Sequence, residues 1–395
     1  MDSVSRIEFL TGQRSIISRR WTGASIRAVP APDALREARL VNRLTLRENV
    51  VSLKGIITSA AVALAALAIS GESVGQARMK ASLAVGGSSS QVVLLAMNVA
   101  RSKGFIREEG LDLEVTDFGS GAKGLQALIG RNVDMTIGVY EHTIRMQAKG
   151  MDIRSVVLHS SAPGIAIAIT RQFATKYKGP KDLKGARIGV SAPGSATHLL
   201  LNQFLVQHGL QPNDVSVLGV GNTAGAVAAI RTGGELQAIV NYDPVITELS
   251  TAGDVQLILD LRALDATRQF FKSDFAFLST YAHGDYIDKN PAVIQAVVNG
   301  TVRALLWMKT AKPEEILAAV PEEYWRARKE LYLDTIRMNI HGFSPDGLLS
   351  SDAARTVLEG LLSYDKEVKG AKIDLAKTYD NRFVMRALEK YRAPK

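Results

Sequence analysis

The chain has 395 residues, 46% of them hydrophobic and 22% charged, with a formal net charge of +9; this is globular composition with length for two lobes. The positive excess is thin: residues 1–77 hold ten Lys and Arg against six Asp and Glu, and the rest 38 against 33. No run of five like charges forms a nucleic-acid stripe, and the lack of any cysteine excludes disulfides, zinc–thiolate sites, thiol nucleophiles and a lipid-modified leader cysteine.

Residues 1–50 carry nine Arg and no recognisable motif; they read as a mispredicted or disordered extension. Lys54 then precedes fourteen largely apolar residues, Ile56–Ile69, and the small residues Gly75 and Ala77. That order is the layout of a secretory signal cleaved near Ala77. Fourteen helical residues reach about 21 Å, short of a hydrocarbon core of roughly 30 Å. The leader is therefore set at 51–77, the protein is expected in the periplasm, and it is not a lipoprotein.

From Met79 onward short β-type runs alternate with helical stretches. Strands are expected at 80–85, 111–118, 133–139 and 153–159, with helices at 92–103, 124–129 and 143–149. A second unit follows, with strands at 165–170, 186–190, 215–220, 238–241 and 255–259 around helices at 198–208 and 224–232. A strand at 275–279 leads into helices at 291–309, 313–319, 322–332 and 353–367. This β-α rhythm predicts two mainly parallel sheets flanked by helices, an α/β protein of two lobes. The lobes are placed at 78–164 plus 272–395, where the helical tail packs back, and at 165–271.

Three strings then carry a resemblance. Gly104-Phe-Ile-Arg-Glu-Glu-Gly-Leu-Asp-Leu-Glu-Val115 is followed by Gly119–Met135, and Asp182-Leu-Lys-Gly-Ala-Arg-Ile-Gly-Val190 by Pro193-Gly-Ser-Ala196. In this order they resemble the nitrate/sulfonate/taurine-type solute-binding proteins of ABC importers over roughly residues 80–310. The resemblance implies the type II periplasmic binding fold, no cofactor, and a membrane permease and ATPase as partners of a monomer.

In open α/β sheets ligands sit beyond the carboxyl ends of strands. Ser89, Ser90 and Gln91 follow the first strand, and Ser120 and Gly121 the second, where a glycine-rich helix start presents N–H groups to an anion. Tyr140, Glu141 and His142 follow the third strand; a carboxylate there favours an amine, ring or hydroxyl over a bare anion. Ser191, Gly194, Ser195, Ala196 and Thr197 form the matching loop of the second lobe. Asn222, Tyr242 and Asp243 complete the set, with Tyr242 offering an aromatic wall and a hydroxyl. Helix capping by the serines and Asp243 is the competing reading.

No GxSxG, P-loop or HExxH spacing argues for catalysis, and no metal or nucleic acid is expected. Capture of a small organic solute (sulfonate, carboxylate or pyrimidine-like) is the leading reading. The alternatives are a thiamine-pyrimidine-synthase-like enzyme, whose group relies on a cysteine-rich segment, and a ligand-sensing domain on the same fold.

Overall fold

The computed structural model describes residues 77–86, 92–233 and 235–392. The expected extension, the leader up to Gln76 and the loop residues Ser89, Ser90 and Gln91 lie outside the described residues.

Ten strands build two five-stranded sheets. The first contains β1 (Met79–Val85), β2 (Leu111–Asp117), β3 (Met135–Val139), β4 (Ile153–Ser160) and β10 (Leu278–His283), in the order β2-β1-β3-β10-β4. The second contains β5 (Ile165–Thr170), β6 (Arg187–Val190), β7 (Ser216–Gly219), β8 (Ala238–Tyr242) and β9 (Val255–Leu261), in the order β7-β6-β8-β5-β9. The two sheets thus share one plan. In each, four strands run the same way and one runs against its two neighbours. That strand, β10 or β5, opens the stretch where the chain has just crossed from the other sheet.

The helices are α1 (Leu95–Ser102), α2 (Gly121–Ile129), α3 (Glu141–Ala148), α4 (Ala196–Gln207), α5 (Ala224–Gly233) and α6 (Val245–Thr251). After them come α7 (Leu264–Phe271), α8 (Pro291–Met308), α9 (Lys329–Asn339), α10 (Ser351–Tyr364) and α11 (Arg382–Tyr391), beside shorter turns. β5 shows why the layers close. Its Ile165, Ile167 and Ile169 are fully buried in one cluster, and Ala166 and Ala168 in another. β-branched isoleucines suit the pleat, and the alanines leave room for helices on the opposite face. Burying one such isoleucine contributes roughly 1.5–3 kcal/mol.

Three expected elements need correction. The strand expected at 275–279 begins only at Leu278. Before it, Phe271 and Phe275 stack 3.8 Å apart and Phe277 follows, so that apolar run fills core as irregular chain. The helix expected at 322–332 is two 3₁₀ turns, Glu322–Tyr324 and Arg326–Arg328, ahead of α9. Trp325 interrupts it, folding back so that its indole N–H donates to Val320 O at 3.1 Å. The helix expected at 353–367 stops at Tyr364, because Asp365 takes an extended backbone and caps the next turn through Glu367 N and Val368 N.

The C-terminal helices span both sheets' layers. α10 packs on α3, which follows β3, and on α4, which follows β6. α9 packs on the Val92–Leu94 turn and on α6. No described helix is long and apolar enough to cross a membrane.

Candidate functional site

β1, β3, β6 and β8 end facing one another across the gap between the sheets, and their loops supply the site. At the end of β1, a Cβ on Gly86 would stand 2.1 Å from Gly121 N. Only glycine lets the first strand reach the start of α2. Ser120 caps α2 by accepting from Lys123 N at 3.3 Å. The next amide, Ala122 N, donates 3.1 Å across the gap to Ser195 Oγ.

Ser195 stands at the N-cap of α4, yet its side chain does not cap that helix. Its hydroxyl serves the other sheet's loop instead, so plain capping does not explain it. Thr197 Oγ1 braces the loop from within, accepting from Ser191 N at 2.9 Å and pairing with Ser191 Oγ at 2.9 Å. Gly194 takes φ +79°, a conformation that favours glycine. It donates its N–H to His198 Nδ1 at 2.9 Å. The carbonyl of Gly194 lies 3.3 Å from His142 Nε2.

That last contact fixes the tautomer of His142. A carbonyl only accepts, so Nε2 carries the proton and Nδ1 accepts from Tyr281 Oη at 2.7 Å. Burial pushes the His142 pKa down to about 4, against the Gly194 carbonyl, which raises it. His142 is therefore a neutral bridge between the sheets at neutral pH.

Glu141 is buried beside it, with Oε1 accepting from Gln203 Nε2 of α4 at 3.2 Å. Burial raises its pKa to about 8; Arg145 works against the shift and Asp365 adds to it. Tyr242 lines the gap, and burial, with a smaller push from Glu141, raises its hydroxyl above the ordinary tyrosine range. Asn222 Nδ2 reaches Gly86 O at 3.5 Å, a long contact between the sheets.

Two expected contacts are turned elsewhere. Tyr140 is buried with its hydroxyl on Thr378 Oγ1 and its ring edge-on to Tyr379 at 6.4 Å. The Asp243 carboxylate accepts from Thr247 N, Thr247 Oγ1 and Asn339 Nδ2 and pairs with Arg262. Its bonds hold α6 and α9.

What remains between the sheets is a cavity of about 20 Å³, walled by Val93, Ile137 and Leu278 with His142, Ser195 and Tyr242 as polar members. That volume suits a water molecule and no solute. A larger surface groove, about 690 Å³, lies beside β2 under Lys80, Arg101 and Asp112, away from these loops. Sequence reasoning missed Ala122, Gly138, Gln203 and Tyr281. Of these only Gly138 carried a signal, since glycine inside a strand marks close approach: a Cβ there would stand 2.4 Å from Tyr281 Oη. Among the described residues no group of three or more His, Asp or Glu is placed to hold a metal ion.

Two like-planned α/β sheets with their loops facing across a closable gap define the architecture of periplasmic binding proteins. The chain belongs to the NMT1/THI5-like family, whose model matches residues 91–316. A solved structure from Bordetella bronchiseptica RB50 is 41% identical, with a TM-score of 0.76 over 80% of this chain and 99% of that one. The alkanesulfonate-binding protein SsuA from Xanthomonas axonopodis pv. citri, bound to MOPS, is 18% identical with a TM-score of 0.60, covering 76% of this chain and 98% of its own. The periplasmic nitrate-binding protein NrtA from Synechocystis PCC 6803 is 15% identical with a TM-score of 0.60, covering 80% and 90%. At 18% and 15% identity these last two likenesses speak to the fold alone.

Proposed function

We propose that this chain is the solute-binding component of an ABC importer, which captures a small organic molecule such as a sulfonate, carboxylate or pyrimidine-like ring between its two lobes. The lobes are residues 78–164 with 272–395, and residues 165–271. One observation carries the reading: the α2 and α4 start loops meet across the gap, with Ser195 Oγ on Ala122 N and His142 on Gly194 O. When the lobes part, a hydroxyl, an amide N–H, an imidazole and the Tyr242 ring are freed together. A solute that satisfies them from both sides stabilises the closed form by its contacts there.

The chain would work after export, with residues up to about Ala77 removed, and would hand its solute to a permease and ATPase. A synthase on the same fold is the second reading; the absence of cysteine weighs against it. Thermal-shift titration of the purified protein against alkanesulfonates, carboxylates, pyrimidines and nitrate tests the proposal. Saturable stabilisation by one organic class, with compaction in solution scattering, is expected. Stabilisation by nitrate alone, or binding without compaction, would sink it.

A further inference from the structure

Glu141 and Gln203 stand on helices that follow different sheets, α3 and α4, and meet where α10 packs over both. Gln203 Nε2 donates to Glu141 Oε1, yet Gln203 Oε1 is fully buried and has no donor. An ionised carboxylate offers none. A carboxylic acid supplies the missing hydrogen: its O–H donates to the amide oxygen while its carbonyl accepts from the amide N–H.

We propose that Glu141 is kept as a neutral acid, paired with Gln203 across the gap, so that closing the protein takes up one proton. On its own helix, Arg145 is engaged by Asp365 at 2.9 Å, so the nearest cation is already neutralised, and His142 is neutral. From α4 come the uncharged Asn202 and a His198 whose pKa burial and then Arg145 hold down. From α10 comes the Tyr364 hydroxyl, buried and without a partner, and from β8 the Tyr242 ring. Of these only Arg145 favours a charge on Glu141, and burial opposes it more strongly.

Once the helices separate, water reaches the carboxyl, which then ionises near its ordinary value of 4.5 in place of about 8. Below 4.5 both forms are protonated, and above 8 both are ionised. Between these limits closure becomes up to tenfold less favourable per pH unit. By linkage, any solute that binds the closed form is captured more tightly in mild acid. The opening itself and this last consequence rest on the solute-binding reading above.

The test needs no solute. Ala122 Cβ lies 3.9 Å from where a Cβ at Gly194 would stand, within the roughly 3.5–4.5 Å of a disulfide, and the chain has no other cysteine. The full chain carrying A122C and G194C is oxidised to lock the gap and examined by infrared spectroscopy at pH 7, where exposed carboxyls are ionised. A protonated-carboxyl band that vanishes when E141Q is added to the locked protein is expected; identical spectra would overturn the proposal. Should the lock fail to form, thermal unfolding of the unlocked protein and of E141Q is compared from pH 5 to 8. Wild type is expected to lose up to tenfold per pH unit in its folding constant relative to E141Q, and parallel profiles would overturn it. A failed solute screen would leave either result standing.

Discussion

Replacing Arg262 by Met strands the buried Asp243 and also removes the part-exposed pair with Asp260. Arg262 and Asp243 are 5% and 1% exposed at their side chains, with Nη1 3.2 Å from Oδ2. At an effective dielectric constant near 20 the attraction is about 5 kcal/mol. Truncating one partner of such a pair costs about 3–5 kcal/mol, because the other charge is stranded. Asp243 would keep Thr247 N, Thr247 Oγ1 and Asn339 Nδ2 as donors, so the low end, about 3 kcal/mol, is expected. For a protein of this size that is a fall in Tm of about 6 °C, at roughly 2 °C per kcal/mol. Urea unfolding measures it directly, and adding D243N to R262M should recover about half of the loss by neutralising the stranded charge. A cost for R262M below about 1 kcal/mol, or a double variant no more stable than the single, would refute the assignment of Asp243 as a structural anchor.

Three further outcomes are expected. S195A removes the hydroxyl that meets Ala122 N; one lost hydrogen bond near 1 kcal/mol should lower Tm by about 2 °C, read by calorimetry, and weaken solute binding about fivefold. G138A sets a Cβ 2.4 Å from Tyr281 Oη, so Tyr281 must move off His142; a destabilisation of about 1–3 kcal/mol is expected, read by urea unfolding. Burial lowers the pKa of His142 to about 4 and of His159 to about 3, so the unfolded chain binds more protons from the ordinary value of 6.5 downward. These residues' share of stability is complete above 6.5 and is lost as pH falls toward 4; a variant H159Q should show a shallower acid limb in Tm against pH.

The sequence announces the strands of the second sheet clearly. Ile165–Thr170 alternates without interruption and forms a strand over those same residues. β10 was harder, because a central strand carrying Ser279 and Thr280, both fully buried, shows no apolar period. Its direction was hidden too: whether a strand runs with or against its neighbours depends on how the chain enters the sheet. The strand-end rule located Ser195, His142 and Tyr242. It could not say that Tyr140 turns to Thr378, or that Asp243 is consumed by Arg262, since those partners come from distant segments. The Glu141–Gln203 pair joins residues 62 positions apart, and no local pattern encodes such a meeting.

The place of β10 has a consequence for how the molecule comes into being. It lies between β3 and β4, so those earlier strands have no shared ladder until residues 278–283 have been synthesised. All five strands of the second sheet come from one unbroken stretch, residues 165–261. A chain emerging from the ribosome can therefore complete its middle before its beginning. Loop closure across the whole inserted lobe then delays completion of the first sheet, and β4 waits without its ladder. That interval is when a chaperone would find it open.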